Sequence, residues 1–61
     1  MIDIEEAASL AKWIQQWKKT YGENPKIEEC VVWFEWKFKD KELSKSDKSS
    51  IKSILNLNSE E

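Results

Sequence analysis

Histidine and arginine are both missing from this chain, and cysteine, glycine and proline occur once each. Without histidine, the commonest general base and metal ligand is gone. Without arginine, there is no planar fork to grip phosphate or carboxylate through two parallel bonds. The lone Cys30 cannot close an intrachain disulfide, so the fold has to stand with a reduced thiol. Gly22 is the sole glycine, which leaves no glycine-rich loop to cradle a phosphate. No apolar run approaches the roughly 18 residues of a spanning helix. The opening residues, Met1 to Glu6, are acidic and do not read as a signal peptide. These absences predict a cytoplasmic protein without metal, cofactor or membrane contact.

What the chain does have is tryptophan: Trp13, Trp17, Trp33 and Trp36 in only 61 residues. This length predicts one small domain over 1–61. A domain of that size buries only about 60% of the surface its unfolded chain exposes. Acidic residues outnumber basic ones by 12 to 10, for a net charge of -2, which argues against generic binding to polyanions. All ten basic residues are lysine. That bias, with many Ile and Ser, points to an AT-rich genome, such as that of a phage or mobile element.

Three segments carry structural signals. In the first, Asp3 and Glu6 have the spacing of a capping box, with Ile2 and Ala7 placed as a hydrophobic staple. Ala7, Leu10, Trp13, Ile14, Trp17 and Tyr21 then recur at helical spacing. Gly22 follows as a left-handed cap, and the segment predicts a helix over 3–21. The second segment starts at Asn24-Pro25, a cap residue followed by a residue favoured at the first helical position. Ile27, Cys30, Val31, Phe34 and Phe38 then share one helical face, which predicts a helix over 25–41. Val32, Phe34, Trp36 and Phe38 also alternate with polar and edge residues, so a strand or hairpin at about 30–39 is the alternative. In the third segment Ser44 and Asp47 form a weaker capping box, with Leu43 before it. Ile51, Ile54 and Leu55 make a narrow stripe, predicting a helix over 44–57 and a frayed tail at 58–61. The expected fold is all-α, a small three-helix bundle.

Catalysis finds no support. Glu5-Glu6 and Glu28-Glu29 are neighbours in sequence and diverge on a helix, so neither pair can share a reacting atom. Cys30 has no histidine partner and lies on the apolar face, as an inert thiol does. Metal binding lacks its usual nitrogen and sulfur ligands.

The aromatic residues divide in two. Trp13, Trp17, Tyr21, Phe34 and Phe38 stand at core spacing. Trp33 sits at one edge of the apolar arc of its helix, and Trp36 nearly opposite, with Val32 on its side. Flanking helices could cover both edges. The alternative is a contact surface, because tryptophan combines large area with one donor. The sequence therefore predicts a non-enzymatic regulatory or adaptor protein that binds another protein through Val32, Trp33, Trp36 and Lys37. A homodimer burying the same patch is a second way to use it. A phage or mobile-element origin would make it a modifier of a host enzyme. The runner-up is a small helix-turn-helix-like nucleic-acid-binding regulator, reading through Lys45, Lys48, Ser49, Lys52 and Asn56 on the third helix. The excess of lysine between Lys37 and Lys52 supports it; the acidic remainder and the lack of arginine weigh against it.

Overall fold

The computed structural model of the chain describes residues 2–39 and 42–59, the last of these by its backbone alone. They form α1 (Ile4–Tyr21), α2 (Ile27–Lys37) and α3 (Lys45–Ser59). The fold is an all-α three-helix bundle, as the periodicity predicts. Residues 30–37 are helical rather than extended, so the strand alternative falls. The buried pair Cys30 and Phe34 explains why: residues four apart share one side of a helix.

Each helix starts where local chemistry sets it. At α1 the Asp3 carboxylate accepts the Glu6 N–H at 2.9 Å, and the Glu6 carboxylate accepts the Asp3 N–H at 3.0 Å. Ile2, just before this cap, packs against the core, as a staple residue does. Gly22 ends the helix at φ 75°, its N–H donating to the Lys18 carbonyl. At α3, Ser44 Oγ accepts the Asp47 N–H and Asp47 Oδ2 accepts the Ser44 N–H, both at 3.2 Å.

The start of α2 differs from the expectation. The helix begins at Ile27 with Lys26 as its cap residue, not at Asn24-Pro25. Glu29 Oε1 accepts the Lys26 N–H at 2.9 Å. Pro25 is buried, and so is Cys30. These are the two positions that a hydrophobic staple pairs, so the proline serves just outside the helix rather than as its first residue. The far end is earlier than expected as well: Phe38 caps α2, its N–H donating to the Phe34 carbonyl. Residues 40 and 41 lie outside the described residues. Of the tail at 58–61, residues 58 and 59 are helical, and the rest lies outside them too. Asn58 donates to the Ile54 carbonyl at 2.8 Å and accepts from Gln15 Nε2 at 3.0 Å, which ties α3 to α1.

Leu10 and Ile14 from α1, Cys30 and Phe34 from α2 and Ile51 from α3 form the fully buried centre. Helix α3 packs closely on both other helices, whereas α1 and α2 meet least closely. That looser junction is where the tryptophans gather.

Candidate functional site

Six aromatic rings run as a continuous chain along the α1–α2 junction. Tyr21 meets Trp17 at 4.5 Å between ring centroids, and Trp17 meets Trp13 at 5.4 Å. Trp13 crosses to α2, stacking on Trp33 at 5.1 Å with the ring planes only 14° apart. Trp33 then meets Phe38 edge-on at 6.3 Å, and Phe38 meets Phe34 at 4.7 Å. Separations of 4.5–7 Å are favourable for aromatic pairs. Trp36 has no place in this chain of rings.

The two later tryptophans, grouped by sequence reasoning, are thus treated differently. Trp33 is half-buried against the core through Trp13. Trp36 is 64% exposed, and Val32, one turn earlier, is 63% exposed. Lys37 is exposed but belongs to another flank, where it lines a shallow depression with Lys12 and Trp33. The remaining exposed large apolar residues, Ile4, Tyr21 and Leu57, do not line the groove described next, and scattered apolar exposure is normal for a folded surface.

Trp36 and Val32 border an open groove of about 460 Å³ between α1 and α2. Helix α1 contributes Trp13 and Trp17 to its wall. Helix α2 adds Trp33, and Glu28 and Glu29 at its acidic end. Sequence reasoning placed Trp13, Trp17 and Tyr21 in the core. The structure leaves Trp17 half-buried in the groove wall and Tyr21 exposed. At the level of Trp17, α2 presents Glu28 and Glu29, which line the groove with it and leave it open. A signal for this was present in the i, i+4 spacing of Trp13 and Trp17, but periodicity gives direction and not the reach of the neighbouring helix.

Trp17 carries a further peculiarity. Its Nε1–H is buried and has no acceptor among the described residues. Most buried donors are satisfied; this indole instead packs through its ring, against Trp13 and Tyr21.

Cys30 is fully buried. Burial, helped by the nearby charge of Glu29, pushes its thiol up to about 11. A thiol held neutral at physiological pH is a poor nucleophile. Among the described residues, no group of His, Cys, Asp or Glu could hold a metal ion, and no helix is long and apolar enough to cross a membrane.

The residues of the alternative reading also stand together. Lys45, Lys48, Ser49, Lys52 and Asn56 are all exposed on α3, within an arc of about 100° at 3.6 residues per turn.

No family model, no curated protein and no solved structure matches the chain.

Proposed function

We propose that this chain is a non-enzymatic regulatory or adaptor protein that binds another protein through a surface centred on Val32, Trp33 and Trp36, with Lys37 at its rim on the adjoining flank. One observation carries the reading: Trp36 stands 64% exposed beside Val32 at the lip of an aromatic groove. A small domain has little apolar surface to spare, and tryptophan is the residue most enriched at the energetic centres of interfaces. Trp33, braced by Trp13, gives this lip a rigid floor. The setting we propose is cytoplasmic, as a modifier of a host enzyme encoded by a phage or mobile element; the lysine-only basic composition supports that origin.

The test is a pull-down from source cells with the wild-type chain and Trp36→Ala. The variant should keep its helical circular dichroism and lose the captured protein, with affinity down about 30-fold or more, as for an interface hot spot. A folded Trp36→Ala chain that holds its partner at full affinity removes the site.

The exposed stripe on α3 favours a second reading, nucleic-acid binding through Lys45, Lys48, Ser49, Lys52 and Asn56. Phosphate contacts weaken steeply with salt. A gel shift at low ionic strength that shows no complex ends this reading.

A further inference from the structure

We infer that the groove between α1 and α2 takes a cationic polypeptide segment, one that presents arginine or lysine beside an apolar anchor. The inference rests on the protein-binding reading above and narrows the partner.

The groove is apolar and aromatic, and among the described residues its only ionisable lining groups are Glu28 and Glu29. At 100° per residue, Glu28, Glu29, Val32, Glu35 and Trp36 occupy an arc of about 120° on α2. All five are acidic or apolar, and all five are exposed. Lys37 lies about 100° beyond Trp36 on the helix, on the flank it shares with Lys12. The binding face therefore combines indole surfaces with carboxylates; no lysine of α2 lies on its arc, and Lys48 of α3 borders it beside Glu28 and Val32. A guanidinium or ammonium is attracted to an indole face within about 6 Å, and a carboxylate beside it completes the match.

The same face disfavours the two other occupants. An acidic partner meets Glu28, Glu29 and Glu35. A second copy fares no better: a two-fold axis perpendicular to α2 at Val32 sets Glu29 of one copy opposite Glu35 of the other, and an axis along α2 sets each carboxylate near its own counterpart. Lys48 of α3 lines a depression with Glu28 and Val32, one cation beside three carboxylates; the other α3 lysines could approach the groove of another copy only through a different patch. Such a heterologous contact builds rings or filaments and not a two-fold dimer.

The experiment uses the full chain and a panel of synthetic amphipathic leucine–arginine peptides in which the arginine register is varied. Matched peptides carry citrulline or glutamate in place of arginine. Binding is read by fluorescence anisotropy of the labelled peptide and by the indole emission of the chain. At least one arginine register should bind and shift the emission to the blue. Citrulline replacement should weaken it about tenfold, the scale of a desolvated cation–π contact. The double variant Glu28→Gln/Glu29→Gln should lose a similar factor while staying folded and melting only a few degrees lower, because α2 loses two first-turn carboxylates but glutamine can still cap the Lys26 N–H. Equal binding of arginine and citrulline peptides, preference for the glutamate peptide, unchanged affinity of the double variant, or no binding in any register each overturns the inference. Sedimentation without peptide adds one more outcome: a dimer lost on Trp36→Ala overturns it in favour of a second copy. The broader reading fails separately, when cellular capture survives Trp36→Ala.

Discussion

Cys30 shows how position decides what a side chain can do. The thiol is the most reactive group in the sequence, yet it is packed in the buried cluster with Leu10, Ile14, Phe34 and Ile51. With its titration pushed up to about 11 from 9.0, the folded chain favours the neutral form. The stability this confers is complete below pH 9, and is lost as pH rises towards 11. Native chain should therefore react with a disulfide reagent at pH 8 only as fast as it opens, and at the free-thiol rate in urea. Fast reaction in the native state would mean an exposed thiol. Trp17 poses the opposite case, a group without its partner. An unsatisfied buried donor costs about 1–3 kcal/mol. Trp17→Phe removes the donor and some ring area together, so the urea midpoint should stay level or rise. A fall in unfolding free energy of more than about 2 kcal/mol would mean that the indole contributes more than its missing hydrogen bond costs.

At the scale of the helix, capping chemistry was the most legible part of the sequence. Asp3 with Glu6, and Ser44 with Asp47, bond as their spacing implies, because a capping box is a local interaction complete within four residues. Ser44→Ala should lower stability by about 1 kcal/mol, read by urea denaturation. Gly22→Ala should cost about 1–2 kcal/mol. Nothing lies within 4 Å of the added methyl, so that loss would come from the positive φ alone. The start of α2 was harder to read. Pro25 suits either the first helical position or the position before the cap, and the choice depends on its burial, which is a tertiary fact. The strand-like alternation from Val32 to Phe38 misled for a related reason. It reflects a run of bulky residues, of which Phe34 faces inward, Phe38 lies at the core's edge, and Val32 and Trp36 face outward.

For the whole molecule, the decisive quantity is how much of each helix its neighbours cover. The Cα radius of gyration is 10.8 Å, against about 10.5 Å for a compact chain of this length. The bundle as a whole is therefore compact, and the exposure of Trp36 is local to the open α1–α2 junction. Helical phase placed Trp33 and Trp36 at different angles on α2, but could not say that Trp13 would arrive on one side and nothing on the other. That asymmetry separates a structural indole from an available one, and it predicts a contrast between two aromatic truncations on the same helix. Phe34 is the largest fully buried side chain, and Phe34→Ala should cost about 3–5 kcal/mol. At about 0.05–0.15 kcal/mol per residue, a chain this short holds roughly 3–9 kcal/mol in total. The Phe34→Ala chain should therefore be largely unfolded at 37 °C by circular dichroism. Trp36→Ala, two residues away, should change stability by about 0.5 kcal/mol or less. If the two variants melt together, Trp36 is holding the fold, and the surface assigned to it is part of the core.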